Sequence, residues 1–537
     1  MRWMRCSSAS PGSRPGSTRP RRRPRHRPRH SAVDEGRQYN PRYMSDPADV
    51  VPSSASAPVR DDVPLYVDLD GTLIRSDLLW ESLLSTAHRA PFSAALGLLE
   101  LRHGRAAMKR AVAQRGGVAA ASLPYDGAFV AWLREQARAG RAIYLATAAD
   151  AQLARRVAEH LGLFTGVLAS DGVHNLKGPN KLAAIRAHCL ATGADAFDYC
   201  GNGAEDLVLF AAARRAIVVN ARPKVLAAAR RGADVALVVD AQPAGLRIWL
   251  RALRVHQWLK NLLVLVPLIT ALRVSDPLAL CEALVAFAAF CLVASGGYFV
   301  NDLLDLQSDR RHPTKRDRPL ASGRLSVAHG VAAAVALLAG GAALGSLLAP
   351  QFLAWLAGYA VLTLAYSISI KRHATFDLIA LAALYTVRIM AGGAAIEVEV
   401  SFWLLAFSTF LFFSLATVKR CAELVSMRTR GETVARGRGY RAEDLEVLKA
   451  IGTATSVASV LVLALYVQAP DVAHRYASPR ILWLMLTGLL VWLSHLWLTT
   501  ARGQMHDDPL VFAMRDGTSR WLIALMGAAF VGAVLVR

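Results

Sequence analysis

Residues 279–312 read ALCEALVAFAAFCLVASGGYFVNDLLDLQSDRRH. The apolar part, 279–301, is long enough to cross a hydrocarbon layer of about 30 Å as a helix. Its polar end carries Asp302, Asp305 and Asp309, and at ~100° per residue on an α-helix these side chains fall within about 60° of one another. The stretch therefore predicts a membrane-spanning helix with a single acidic face at one end.

The acidic face predicts a metal site. Carboxylates at the mouth of a membrane helix are too costly to leave bare, so they should hold a cation or line a wet cavity. Mg²⁺, bound by a few carboxylates and by the phosphates of a substrate, fits best. Lys315, Arg316 and Arg318 follow directly and are expected to bind the remaining phosphate oxygens. The alternative is an interfacial cap in which the Asp side chains only pair with neighbouring Arg.

The chain from Arg247 onward continues in this apolar texture. Of 537 residues, 54% are hydrophobic and 19% charged, which leaves too little polar surface for a soluble globule of this size. Basic residues concentrate in alternate loops, which the positive-inside rule places in the cytoplasm together with the domain that precedes the spans. We therefore expect a multi-pass protein of the cell inner (plasma) membrane. The sequence predicts nine helical spans, at roughly 255–272, 279–301, 325–349, 351–370, 374–396, 401–420, 446–468, 480–500 and 518–536.

The first 60 residues differ from the rest. They are rich in Arg, Pro, Ser and Ala, lack aliphatic periodicity, and contribute much of the formal net charge of +22. This composition predicts a disordered basic tail over 1–60, or an artefact of an upstream start site with initiation near Met44. Either is favoured over binding to anionic lipid, and no nucleic-acid partner is expected. The six Cys show no paired or metal-ligand spacing, which excludes a disulfide framework and a structural zinc site.

Between these parts, residues 61–240 alternate short β-branched runs with helical segments, which predicts a soluble α/β domain with a parallel sheet. The run LYVDLDGTL at 65–73 is a strand that ends in Asp68 and Asp70, so both carboxylates should lie at the carboxyl edge of the sheet, where α/β folds bind ligands. A carboxylate nucleophile beside a carboxylic acid suits attack on phosphorus, with a hydroxyl and an ammonium steadying the phosphoryl charge.

Three later motifs follow: a strand that ends in Thr147, the run KGPNK at 177–181, and the run DYCGNGAED at 198–206. The order of the four motifs resembles the haloacid dehalogenase-like phosphohydrolase superfamily, over about residues 64–240. The resemblance implies a Rossmann-like fold with Asp68 as nucleophile and Asp70 as general acid/base. It also implies a phosphate-binding role for Thr147 and Lys181 and a magnesium site at Asp68, Asp70 and Asp206. One departure is Asn202 after Gly201, where the family usually has Asp; the lost charge should weaken Mg²⁺ binding and hydrolysis.

The Asn-Asp-x-x-Asp-x-x-x-Asp stretch at the end of the second span resembles the first metal motif of the UbiA superfamily of intramembrane prenyltransferases, over about residues 248–537. The resemblance implies a nine-helix transmembrane bundle that binds a magnesium diphosphate at its cytoplasmic mouth. The residues so implied are Asn301, Asp302, Asp305, Asp309, Tyr366 and Lys371.

The end of the sixth span indicates which members of the UbiA superfamily the chain resembles most. Aromatic prenyltransferases usually carry a second Asp-rich motif there, whereas this chain has Lys419 and Arg420. Together with the stretches around Lys260 and Asp508, this is similar to the decaprenyl-phosphate phosphoribosyltransferases of the superfamily. The favoured activity is then Mg²⁺-dependent transfer of a 5-phosphoribosyl group from phosphoribosyl diphosphate to a polyprenyl phosphate, with Lys260, Lys419 and Arg420 as the additional cations that bind the 5-phosphate of the donor sugar.

Two alternatives stay open at this point, and a third is disfavoured. The first is prenylation of an aromatic acceptor by a polyprenyl diphosphate, in which metal and cations stabilise the same leaving group. The second is a phosphohydrolase merely anchored by an inert bundle. Transport through the bundle is disfavoured, because the ionisable residues cluster at one face rather than at mid-bilayer.

Overall fold

The structure is a computed structural model. It describes residues 62–89, 100–103, 105–171, 174–239, 245–312, 314–431, 439–469, 476–505 and 508–535. The predicted basic tail over 1–60 and the proposed start near Met44 lie outside these residues.

The first part of the described chain forms a parallel sheet covered by helices, as the alternation of strands and helices predicts. The strand order is β3-β2-β1-β4-β5-β6, and all neighbouring strands are parallel. This is the doubly wound order, in which ligands bind beyond the carboxyl ends of the strands. The strands are β1 (Leu65–Val67), β2 (Ile143–Asp150), β3 (Gly166–Ser170), β4 (Asp198–Gly201), β5 (Ala216–Val219) and β6 (Val235–Val239). The α-helices described here are α1 (Leu78–Arg89), α2 (Arg105–Arg115), α3 (Gly127–Arg138), α4 (Ala151–Leu161), α5 (Pro179–Thr192), α6 (Leu207–Ala212) and α7 (Pro223–Gly232).

The sheet separates two hydrophobic cores. Because successive side chains of a strand point to opposite faces, Leu65 and Val67 enter one core and Tyr66 enters the other. Every residue of β1 is fully buried. A central strand buried on both faces holds the loop that follows it rigidly, and that loop carries Asp68 and Asp70.

The second part of the described chain is helical. The α-helices described here are α8 (Leu246–Leu253), α9 (Val266–Thr270), α10 (Pro277–Leu304), α11 (Leu306–Arg311), α12 (Val327–Gly345), α13 (Pro350–Ile368), α14 (Ala374–Ala395), α15 (Phe402–Thr429), α16 (Leu445–Gln468), α17 (Leu482–Ala501), α18 (Pro509–Arg515) and α19 (Gly517–Leu535). Within the described residues, eight helices are long and apolar enough to cross a membrane, namely α10, α12 to α17 and α19.

The predicted nine-helix count is not confirmed, because the first expected span, 255–272, does not form a long α-helix. It forms a 3₁₀ stretch, Val255–Leu265, followed by the short α9. In a 3₁₀-helix residues three apart share a face. Trp258 donates to Ser295, Asn261 contacts Cys291 and Arg388, and Val264 packs against Gly392. Contacts with α10 and α14 therefore select a period of three over the α-helical period that the apolar run favours.

Candidate active sites

The first candidate site lies at the carboxyl edge of the sheet, directly after β1. Lys181, in the first turn of α5, donates from Nζ to Asp68 Oδ1 at 2.7 Å and lies 3.6 Å from Asp206 Oδ1. Tyr199 on β4 accepts a hydrogen bond from Lys181 at 2.9 Å and donates one to Asp206 at 2.8 Å. The structure thus brings three of the predicted residues together. It adds Tyr199, whose only signal in the sequence is a polar atom in a strand that ends at the predicted edge.

Burial controls the protonation of this network. It raises the pKa of Asp68 to about 6, with Lys181 lowering that pKa and Asp206 raising it. Burial also raises the pKa of Asp70 well above its usual range, and the charges of Asp77 and Asp68 add to the effect. Asp70 therefore resides in surroundings that favour a protonated carboxyl, the form that can give a proton to a leaving group.

Asp70 also connects the site to the helix that follows. Its Oδ1 accepts a hydrogen bond of 2.9 Å from the backbone N–H of Leu78, the first residue of α1. Gly71 next to it has φ of +79°, and a Cβ at this position would overlap the amide of Asn202. The side chain of Asn202, the position at which the phosphohydrolase pattern has Asp, therefore packs directly on the loop that carries Asp68 and Asp70.

Thr147 has local partners at this edge, and a lysine that no motif indicated lies nearby. Thr147 is buried on β2, where its Oγ1 accepts a hydrogen bond of 3.0 Å from Ala149 N. Lys109 on α2 donates from Nζ to the carbonyl of Ala148 at 2.8 Å and shares a small cavity with Asp70. Burial lowers the pKa of Lys109, while Asp70 and Asp77 raise it. Lys109 was missed because it stands in a polar helical segment that resembles a solvent-facing surface.

The second candidate site lies at the end of α10, where the predicted acidic face is divided. Helix α10 ends at Leu304, Asp305 has non-helical backbone angles, and α11 carries Asp309. Asp302 accepts from Arg254 at 2.5 Å and from Arg318 Nη1 at 3.0 Å. Asp309 accepts from the same Nη1 at 2.5 Å. Two of the three acids therefore converge on one cationic nitrogen.

The third acid has a different partner. Asp305 pairs with Lys371 at 2.8 Å, which brings the end of α10 to the 3₁₀ turn after α13. Among the residues that the structure describes, no group of three or more His, Cys, Asp or Glu side chains is close enough to hold a metal ion. Acids that pair only with Arg and Lys are the pattern expected of an interfacial cap. The same pairing is also compatible with a metal and phosphate site, in which the cations balance the charge of the acids until substrate binds.

The other residues predicted to bind substrate at this end of α10 lie close in the chain to its acids. Asn301 is half-buried in the last turn of α10, and its carbonyl accepts from the N–H of Asp305 at 2.9 Å. Lys315 is half-buried and Arg316 exposed on the 3₁₀ turn Lys315–Asp317, which leads directly to Arg318. Arg254, which sequence analysis gave no role, joins the site because its left-handed backbone ends α8 beside Asp302.

A third polar group lies inside the bundle, around Asp508 at the start of α18. Lys260 from the 3₁₀ stretch donates to Asp508 at 2.7 Å, Lys419 from α15 donates to it at 3.2 Å, and Tyr385 from α14 donates at 3.2 Å. Lys260 and Asp508 are almost fully buried. Arg388 is nearby, with its guanidinium 5.8 Å from the Tyr385 ring. Two ammonium groups thus face one carboxylate, and the cluster formed by Lys260, Lys419 and Asp508 is called the lysine cluster below.

Arg420 adjoins Lys419 in sequence but belongs to a separate group. It donates to Asp377 from Nε at 2.5 Å and from Nη2 at 2.8 Å, and both side chains are almost fully buried. Tyr366 donates to Asp377 at 2.9 Å and accepts from Arg420 at 2.8 Å, and Tyr440 donates to Asp377 at 3.0 Å. The structure therefore places Arg420 and Tyr366, both predicted to bind substrate, in a buried ion-pair network.

Eight helices of the described residues are long and apolar enough to cross a membrane, and carboxylates and cations lie at their polar ends, which indicates a multi-pass membrane protein. The chain belongs to the UbiA prenyltransferase family, whose model matches residues 262–515. It is a membrane transferase of this family, as the motif at 301–309 predicts.

Some similar proteins match most of the chain and others about half of it. The protein y4nM of Sinorhizobium fredii is 37% identical over 474 residues, which cover 88% of this chain and 91% of that protein. The nodulation protein NoeC of Azorhizobium caulinodans is 38% identical over 278 residues, 52% of this chain and 90% of NoeC. The decaprenyl-phosphate phosphoribosyltransferase of Mycobacterium tuberculosis is 30% identical over 305 residues, 56% of this chain and 98% of that enzyme. The similarity to y4nM covers most of both the α/β and the helical parts.

Proposed function

We propose that the protein transfers a 5-phosphoribosyl group from phosphoribosyl diphosphate to a polyprenyl phosphate, with Mg²⁺. The observation that carries this proposal is the lysine cluster. Lys260 and Lys419 face the single carboxylate of Asp508, so the cluster carries a net positive charge, and Lys260 and Asp508 are almost fully buried while Lys419 is half-buried. A phosphate from a second substrate would neutralise that charge, whereas an aromatic acceptor would not. The similarity to the decaprenyl-phosphate phosphoribosyltransferase over nearly its whole length supports the same pair of substrates.

The carboxylates at the mouth fit a magnesium diphosphate. Mg²⁺ is usually held by one or two carboxylates together with substrate phosphates, so it does not require a cage of three acids. Asp302 and Asp309 share Nη1 of Arg318, and they therefore already meet at a position that holds positive charge. These two side chains would hold the ion, with Asp305 beside them. The ion would neutralise charge on the departing diphosphate.

The surrounding cations complete the diphosphate site. Arg254, Arg318 and Lys371 now pair with the acids, and they would turn to phosphate oxygens when substrate enters, because Arg binds phosphate through two parallel hydrogen bonds. Lys315 and Arg316 lie on the adjoining turn and would bind the outer oxygens. Arg420 and Tyr366 would act by fixing α13, α14 and α15 through Asp377 rather than by touching substrate.

The reaction then needs no catalytic base. An oxygen of the polyprenyl phosphate attacks the anomeric carbon, a new carbon–oxygen bond forms, and the bond from that carbon to the diphosphate oxygen breaks with its electron pair leaving on diphosphate. The acceptor phosphate is already deprotonated at neutral pH, so no proton has to be removed. Lys260 and Lys419 would orient the acceptor phosphate, and the apolar bundle would exclude water from the ribosyl centre as positive charge grows there.

The site's location follows from the loop charges. We propose that the mouth and the α/β domain face the cytoplasm of the cell inner (plasma) membrane, where a soluble phosphoribosyl donor is accessible. The polyprenyl tail would lie between the helices or in the surrounding lipid.

Purified full-length protein in detergent tests the proposal. Phosphoribosyl diphosphate and a polyprenyl phosphate should give a phosphoribosyl lipid and release diphosphate, and Asp302→Asn should slow both by about 100-fold at low donor concentration. A prenyl diphosphate with an aromatic acceptor is the competing pair. Product from that pair alone would establish aromatic prenylation instead.

For the α/β domain we propose a phosphohydrolase activity of the haloacid dehalogenase type. The contact between Lys181, Asp68 and Asp206 supports it, because a buried carboxylate held by an ammonium beside a second acid suits attack on phosphorus. Asp68 would attack the phosphorus while Asp70 protonates the leaving oxygen, and water would then release phosphate from Asp68. Asp68, Asp70 and Asp206 would hold Mg²⁺, with Thr147 and Lys181 at the phosphate. Hydrolysis of p-nitrophenyl phosphate that is lost in Asp68→Asn and retained in Asp302→Asn would establish it.

A further inference from the structure

An ion pair joins the α/β domain to the acidic segment of the membrane domain. Glu81 in the first turn of α1 accepts two hydrogen bonds from Arg310 on α11, at 3.0 Å to Oε2 and 2.6 Å to Oε1. The side chains are 1% and 6% exposed, respectively. Arg310 directly follows Asp309, one of the two carboxylates that converge on Arg318. Glu81 therefore acts on the residue next to the proposed diphosphate site although it belongs to the other domain.

Both partners are held in place by further contacts. Ser76 Oγ donates to Glu81 Oε1 at 2.5 Å, and α1 begins at the hydrogen bond from Leu78 N to Asp70. Arg310 also donates from Nε to the carbonyl of Ala321 at 3.0 Å. The guanidinium thus ties α11 both to α1 and to the loop that follows Arg318. A bidentate, desolvated Arg–carboxylate pair fixes orientation as well as distance.

Packing on this side of the acidic segment is incomplete. A cavity of about 210 Å³ lies between α1 and residues 303–308, and it is lined by Glu81, Leu84, Asp305 and Gln307 among others. Beside it, Trp80 and Leu84 of α1 pack against the apolar cluster that contains Leu303 and Leu306. Apolar contacts constrain the direction of a side chain less than a bidentate ion pair does, so the pair at Arg310 is the contact that fixes the orientation of α11.

We infer that Glu81 is a positioning residue for the transferase site, and that it sets the place of Asp309 and Asp305 through Arg310. This inference rests on the proposed diphosphate site. If Glu81 loses its charge, a buried guanidinium remains without compensation, and α11 shifts to relieve it. The α/β domain thereby becomes part of the transferase machinery independently of any hydrolysis at Asp68.

Binding and kinetics of the full-length chain in detergent test the inference. The variants are Glu81→Gln, Arg310→Gln and the double variant, with Glu159→Gln as a control that removes an exposed carboxylate from the same domain. Calorimetry with Mg²⁺ and inorganic diphosphate measures the site without requiring turnover. We expect each single variant to weaken diphosphate binding about tenfold and to raise the KM for phosphoribosyl diphosphate by a similar factor, with kcat changing less. The double variant should lose about as much as one single variant, because the two side chains act as a unit.

The reference for this experiment is Asp302→Asn, which identifies the heat that belongs to the membrane site. If Asp302→Asn leaves diphosphate binding unchanged, the proposed transferase site is wrong, and the role of Glu81 fails with it. If Asp302→Asn removes binding but Glu81→Gln binds as Glu159→Gln does, only the positioning role is overturned. If Glu81→Gln unfolds at a lower temperature but keeps the diphosphate affinity and the KM of the unchanged protein, Glu81 stabilises the fold without positioning the site. That result also overturns the inference.

Discussion

Asp302 and Asp309 accept hydrogen bonds from the same nitrogen, Nη1 of Arg318, at 3.0 and 2.5 Å, although the break at Asp305 places them on different helices. Both residues lie within the stretch 262–515 that the UbiA prenyltransferase family model matches. The relationship predicts which acid matters most for transfer.

Asp302→Asn should lower kcat/KM for the diphosphate donor by about 100-fold, because it removes charge at the point where the two acids converge. The change is isosteric, so the helix should persist. The measurement is the rate of phosphoribosyl transfer as a function of Mg²⁺ concentration. Glu446→Gln, which removes an exposed carboxylate paired with Lys449, is the matched control and should behave as the unchanged protein. Equal rates in the two variants would contradict the metal site.

The lysine cluster predicts the binding of the second substrate. Lys419→Met leaves Lys260 and Asp508 as a neutral pair, so the lysine cluster loses its net positive charge and only Arg388 remains as a nearby cation. We expect the KM for polyprenyl phosphate to rise by about tenfold to 100-fold, since a hydrogen bond to a charged group contributes about 1.5–3 kcal/mol. Initial rates at saturating phosphoribosyl diphosphate measure it. Lys449→Met removes a lysine of similar exposure from α16, where it pairs with Glu446, and serves as the control. An unchanged KM in Lys419→Met would place the acceptor phosphate elsewhere.

Arg420 should behave differently from its neighbour Lys419. Arg420→Met leaves Asp377 buried with no guanidinium to pair with, which should destabilise the fold by about 3–5 kcal/mol. The melting temperature of the detergent-solubilised protein checks this, and Lys419→Met should leave it nearly unchanged. The double variant Arg420→Met/Asp377→Leu should recover much of the loss, because an apolar pair replaces a buried ion pair at little cost. A stable Arg420→Met with a raised KM would instead indicate direct substrate contact.

The parts of the fold that depend on local sequence could be predicted. Apolar length alone indicated the span that becomes α10, and the change from short β-branched runs to helical segments indicated the parallel sheet. The stretch 255–272 could not be predicted in this way. It is apolar enough for a helix, and only its contacts with α10 and α14 select the 3₁₀ conformation.

In the candidate sites, too, local sequence predicts some features and distant contacts decide the others. The acids of each motif stand close together in sequence, so their clustering was visible there. Their partners are distant: Asp508 lies 248 residues from Lys260, and Arg310 lies 229 residues from Glu81. Contacts between residues this far apart in the chain leave no periodic pattern in a single sequence. For the same reason Arg420 could not be distinguished from Lys419, since which face of α15 meets Asp377 is decided by packing.

The α/β domain gives a prediction that starts from Asn202. Its side chain packs on Gly71, and the backbone N–H groups of Asn202 and Gly203 donate to Asp206 at 3.1 and 2.9 Å, so position 202 adjoins both acidic motifs. Asn202→Asp adds a carboxylate oxygen, the ligand type that Mg²⁺ prefers. We expect the Mg²⁺ concentration for half-maximal hydrolysis of p-nitrophenyl phosphate to fall about tenfold.

Asp68→Asn combined with Asn202→Asp is the control for that experiment. It keeps the added charge but removes the proposed nucleophile, so hydrolysis should be abolished at every Mg²⁺ concentration. Phosphoribosyl transfer by the same double variant should be unaffected, because the lysine cluster and the acids of α10 and α11 are unchanged. Residual hydrolysis in the double variant would mean that Asp68 does not attack phosphorus, and an unchanged Mg²⁺ requirement in Asn202→Asp alone would mean that position 202 does not face the ion.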